Sequence, residues 1–146
     1  MANQIIPEKI HLNQIHWIVQ NTVILEKKLV KNPTYDFKMA HNVMHNLEKG
    51  IVKIRLFIDV NGAINDKVIN QGGNYEVDFL FQIEDMNDQY EIIEDKPVFS
   101  GLFVSTLLAI SYSTLRGMFF EIWKETVLHG IILPVISVPD LFSSKR

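Results

Sequence analysis

His41 and His45 stand four residues apart, a spacing that puts two imidazoles on one side of a strand or a helix and that zinc pairs use. A zinc hydrolase built on such a pair also needs a glutamate beside the first histidine as general base, and that position holds Asn42. No third ligand stands out, so the two read as packed or surface histidines and no metal is expected. Glu84, Asp85, Glu91, Glu94 and Asp95 form an acidic group. Paired carboxylates divide acid and base roles only where their pKa values are driven apart, which a solvated, charged connection does not do. Gln71-Gly72-Gly73-Asn74 precedes a strand pattern instead of a helix, so it reads as a turn and not as a phosphate cradle. The chain has no cysteine, which removes thiolate chemistry, disulfides and Cys-zinc sites, and no Ser-His-Asp set can be picked out. The reading is not of an enzyme, and no catalytic residue and no cofactor are expected.

What positions such residues is one domain over residues 1–146, 47% hydrophobic and 21% charged, as a globular chain is. The net charge is −3 and the 14 Lys and Arg are scattered, which argues against nucleic acid as a partner. Met1-Ala2-Asn3-Gln4 lacks a basic start and apolar run, so a cytoplasmic location is expected. Residues 97–115 carry no charge, but Ser100, Ser105, Thr106, Ser111, Ser113 and Thr114 interrupt them, and no membrane insertion is expected.

The first half alternates as strands do. Ile10, Leu12, Ile15, Trp17 and Val19 form a strand with a phase slip near Asn13-Gln14 that predicts a bulge. Tyr35 to Leu47 suits a strand or a helix, and Lys49-Gly50 predicts a hairpin. Val52, Ile54, Leu56, Ile58 and Val60 share one face of a third strand, with a turn predicted at Asn61-Gly62. Tyr75, Val77, Phe79 and Phe81 mark a fourth. From Ser100 to Leu128 the period becomes helical, Gly130 and Pro134 then hold the chain extended, and Pro139 opens a short final helix. The fold class is α+β: a four-stranded antiparallel sheet, meander or Greek key, then a long helix and a short C-terminal helix.

Tyr112 and Arg116 on the helix, then Thr126, Leu133-Pro134-Val135 and Leu141-Phe142, give the chain a pattern that resembles SecB, the bacterial export chaperone, over residues 112–142. Arg116 is followed by Gly117 where the family has Glu, and Lys124-Glu125-Thr126 stands for Arg-Gly-Thr. The resemblance implies an ATP-independent holding chaperone that works as a homodimer or homotetramer and binds unfolded polypeptide in apolar grooves. Carried over, the linings are Val30, Tyr35 and Phe37 on one side and Ile131, Ile132, Val135 and Ile136 on the other. It also implies acidic docking of a SecA-like motor, for which Asp78 falls at the fourth-strand position. The first strand lacks most of the family's docking carboxylates, which leans toward a dedicated toxin or antitoxin partner.

The helix is apolar around most of its first half. Phe103, Val104 and Leu108 lie outside the main stripe and are expected between subunits. A carrier that encloses a small hydrophobic ligand between sheet and helix is the third reading, separable by stoichiometry.

Overall fold

The computed structural model describes residues 4–23, 33–126 and 128–146. After a single 3-10 turn at Pro7–Lys9, strands β1 (Ile10–Val23), β2 (Thr34–Asn46), β3 (Ile51–Ile64) and β4 (Lys67–Ile83) form one antiparallel sheet. A small hairpin follows, β5 (Tyr90–Ile93) with β6 (Lys96–Phe99), then helices α1 (Gly101–Ile122) and α2 (Val138–Ser143). The sheet order β1-β4-β3-β2 is that of a Greek key: three hairpin-linked strands with the first laid against the last. The fold is thus the expected α+β arrangement, and its four strands and two helices are the elements the sequence predicts.

Alternation decides which face is covered. Val52, Ile54, Leu56, Ile58 and Val60 of β3 and Tyr75, Val77, Phe79 and Phe81 of β4 are buried beneath α1. The bulge predicted in β1 falls between Leu12 and Gln14. The stretch 34–46 that suits either period is strand, since pairing to β3 along its length satisfies a backbone that a short amphipathic helix could not cover.

The turns predicted at Asn61-Gly62 and at Gln71-Gly72-Gly73 both lie inside strands, β3 and β4. Asn61-Gly62 does not turn the chain: β3 runs on to Ile64, and the reversal comes at Asn65-Asp66, both with positive φ (49° and 64°), as a two-residue hairpin of primed type requires. The register slips between Asn61 and Ala63, and a Cβ on Gly72 would lie 2.0 Å from the Val60 carbonyl oxygen. The glycines there allow close strand approach at a bulge. The acidic stretch expected as an irregular connection contains the β5–β6 hairpin, turned at Glu94-Asp95 with φ of 50° and 62°.

Helix α1 begins where Ser100 Oγ accepts the N–H of Phe103. By length and composition it could cross a membrane, yet here it lies on the sheet with Phe103, Leu107, Leu108, Ser111, Tyr112, Leu115 and Phe119 buried. At its end, Phe119 and Trp123 stack at 4.3 Å and meet Tyr75 and Trp17 edge-on or tilted. Trp123 Nε1–H donates to the Tyr75 hydroxyl at 2.9 Å, so the aromatic box buries its polar tips in pairs.

Candidate peptide-binding surface

The polypeptide after α1 is neither helix nor strand over residues 131–137, and among the described residues no strand pairs with it. Two side chains of α1 hold it. Tyr112 Oη–H donates to the Pro134 carbonyl. Arg116 Nε–H donates to the Leu133 carbonyl at 2.9 Å. The contacts descend the helix as the segment advances, so the segment runs back along α1, antiparallel to it. Burial pushes the Tyr112 hydroxyl up to about 12, against the pull of the nearby Arg116 charge, and it stays a donor across the physiological range.

Pinning these carbonyls fixes which side chains face in. Leu133 is 1% exposed and plugs the core, and Ile131 and Ile136 are half-buried against it. Ile132 is 55% exposed and Val135 82%. The pattern is not strict alternation: Ile131, Leu133 and Ile136 turn inward, and the phase slips at Pro134-Val135, so that Ile132 and Val135, three apart, both point outward. Further along, Gly101, Ser105, Val138, Pro139 and Phe142 line an open apolar groove of about 360 Å³ between the start of α1 and α2.

On β2, Tyr35 and Phe37 pack half-buried against the core cluster. The Tyr35 hydroxyl accepts Nε2–H of Gln71 at 2.5 Å; among the described residues Gln71 Oε1, though buried, has no hydrogen-bond partner. Val30, the remaining residue carried over for this wall, lies outside the described residues.

Other candidates are placed differently from the sequence reading. Phe103 and Leu108 are 1% and 0% exposed within a single chain, and only Val104 of the three keeps partial exposure. Their surplus apolar surface is closed by β3, the hairpin ring of Phe99 and the rest of α1, with Phe99 stacked on Phe103 at 5.7 Å. Phe103 and Leu108 are therefore already covered within the single chain, and of the three only Val104 has side-chain surface left. The exposed apolar residues of the helix are Leu102 (48%) and Phe120 (50%). Asp78 is not presented at the surface as a docking carboxylate would be. It lies at 6% side-chain exposure under Arg55, which donates to both its oxygens at 2.7 and 2.9 Å, with Lys53 at 3.8 Å. The same ion pair raises the Arg55 guanidinium above its usual pKa.

His41 and His45 both lie on the core face of β2, without joining into a metal site: among the described residues, no three His, Asp or Glu come together. His45 meets the Phe99 ring edge-on at 5.3 Å. His41 is 2% exposed, and its Nδ1 lies 2.8 Å from Ser144 Oγ. That hydroxyl already donates to the Leu141 carbonyl at 2.7 Å, so the histidine Nδ1–H is the donor of the pair. In the acidic group, Asp85 pairs with Lys9 at 2.5 Å and Glu84 with His11 at 3.3 Å, both at the surface. The sequence reading missed Trp123 and the Ser144 contact; the first caps the C-terminus of α1, and the second joins residues more than a hundred positions apart.

No family model matches the sequence. No curated protein matches it either. Among solved structures, a Mycobacterium tuberculosis SecB-like chaperone in complex with a ChAD peptide from an antitoxin is similar at TM-score 0.63 and 15% identity, over 90% of this chain and 93% of that one. A protein of unknown function from Streptococcus agalactiae is similar at TM-score 0.35 and 13% identity, over 86% and 93% of the two chains. The fold of this chain is SecB-like, as the residues around Tyr112, Arg116 and Pro134 imply.

Proposed function

We propose that this protein is a holding chaperone that keeps extended, non-native polypeptide against the outward apolar row of residues 131–136. The observation that carries the reading is the stapling of that segment by Tyr112 and Arg116, which leaves Ile132 and Val135 in solvent. A segment that served only to close the core would turn its apolar residues inward; here two of its five aliphatic side chains, Ile132 and Val135, are held outward. Extended apolar walls bind unfolded chains through area with little sequence readout. Gln71-Gly72-Gly73 lies inside β4, not at a helix start, which supports binding without nucleotide. The filled space between sheet and helix, where Leu107, Leu108 and Leu115 are 0% exposed, speaks against an enclosed small-ligand carrier.

The narrower client favoured is a toxin–antitoxin protein, because the chaperone of like fold was solved with an antitoxin peptide and because Asp78 is locked away from any motor. Self-association into a dimer or tetramer would use Leu102 and Phe120 of α1 and the exposed Ile15 and Ile18 of the edge strand β1. Light scattering on a sizing column, with reduced carboxymethylated α-lactalbumin as a permanently unfolded probe, tests this. The expected result is a dimer or tetramer that co-elutes with the probe; a monomer that ignores it contradicts the reading.

A further inference from the structure

We propose that residues 144–146 are a removable strap on the free edge of β2, seated where the backbone of a client would add as a strand. The inference rests on the chaperone reading above and names how that surface is regulated. Among the described residues, the sheet order leaves one side of β2 without a neighbouring strand. At His41 that side is taken, in parallel register, by Lys145. His41 N–H donates to the Ser144 carbonyl at 3.1 Å, and Arg146 N–H donates to the His41 carbonyl at 2.8 Å. Those two bonds are the pair an incoming parallel strand would make with one residue of an edge.

Side chains on both faces hold the strap in register. On the core face Ser144 Oγ accepts from His41, and on the opposite face the Arg146 guanidinium sits 4.2 Å from the centre of the Phe57 ring. Among the described residues the strap pairs with the β2 backbone at His41, and the Asn42 side-chain amide, in the orientation that satisfies it, donates to the Arg146 carbonyl at 2.9 Å; β2 itself extends over 13 residues from Thr34 to Asn46. A segment that paired along more of that edge would make the same backbone bonds and repeat them at alternate residues, so it outcompetes pairing at a single backbone position. Ser144-Lys145-Arg146 is also polar and cationic, the chemistry that keeps an open sheet edge from joining another edge. An edge occupied most of the time lowers the apparent affinity for a client by the fraction of molecules in which it is free.

Two substitutions grade the strap's hold. Arg146→Ala keeps the amide and removes the ring contact; Arg146→Pro removes both. Arg146 is exposed, and circular dichroism with a denaturation midpoint checks that each variant is folded. Amide hydrogen exchange at His41 reads the strap, and fluorescence anisotropy with labelled, reduced carboxymethylated α-lactalbumin reads binding. In Arg146→Pro the His41 amide should exchange about tenfold faster and Kd should fall about tenfold, with Arg146→Ala between it and the parent. Unchanged exchange, or faster exchange with an unchanged Kd, overturns the strap as a gate while leaving the chaperone reading in place. If exchange accelerates and neither parent nor variants bind the probe, the chaperone reading fails and the gate fails with it.

Discussion

The first half of α1 and the segment after the helix are both rich in large apolar residues, and the structure treats them in opposite ways. Phe103, Leu107 and Leu108 are covered within the chain, whereas Ile132 and Val135 are held in solvent. The difference lies in what backs each one. The helix has the sheet along its length and the Phe99 hairpin across its start, so residues outside its main stripe still find a wall. The segment is tied to the helix by the two carbonyl contacts from Tyr112 and Arg116, with Leu133 turned into the core and Ile132 and Val135 left outside. Apolar composition alone therefore says little about exposure; the number of packed faces available to an element says more.

The sharpest contrast should come from truncating each region. Leu108→Ala should lower the unfolding free energy by about 2–5 kcal/mol in urea denaturation, since it opens a cavity in a fully buried site. Leu108→Arg, which on the sequence reading would dissociate an oligomer, should instead leave no folded chain, because the charge has no partner in the core. A smaller effect is expected at the staple. Tyr112→Phe keeps the buried ring and loses the hydroxyl bond to Pro134, so it should cost about 1 kcal/mol and speed amide exchange in residues 131–137. Stability falling by several kcal/mol there would mean that the segment is core and not a held wall.

How far this division could be read beforehand follows the same logic. The bulge near Asn13-Gln14, the faces of β3 and the final helix at Pro139 were legible because each depends on local alternation or a local stop signal. The Asn61-Gly62 turn was misplaced because a glycine that permits close strand approach has the same sequence signature as one that turns the chain. The burial of Phe103 and Leu108 needs a hairpin that the acidic stretch conceals. The pairing of Asp78 needs Arg55 opposite it across two strands. Of the candidate surface, residues 131–136 were legible as extended and apolar, but which of them faces solvent follows from Tyr112 and Arg116, whose targets are backbone carbonyls. No sequence pattern marks those.

A subtler test concerns pH and the strap. Burial, with the Lys145 charge acting the same way, holds His41 below its ordinary value of 6.5. The unfolded chain takes up a proton near that value while the folded chain resists it. The stability from a neutral His41 is therefore full above about pH 6.5 and is lost as pH falls from there toward the folded value. The denaturation midpoint should fall between pH 7.5 and 5.5, and His41→Gln should remove part of that fall; an equal fall in the variant would put the proton elsewhere.

The central claim is that residues 131–136 carry a binding row that folding does not need. The direct measurement is the Ile132→Ser, Val135→Ser double variant, assayed for urea stability and for affinity to the unfolded α-lactalbumin probe. The account predicts an unfolding free energy within about 0.5 kcal/mol of the parent for each exposed site, with a Kd weakened about tenfold or more. A variant that loses several kcal/mol of stability while binding the probe as the parent does would contradict it.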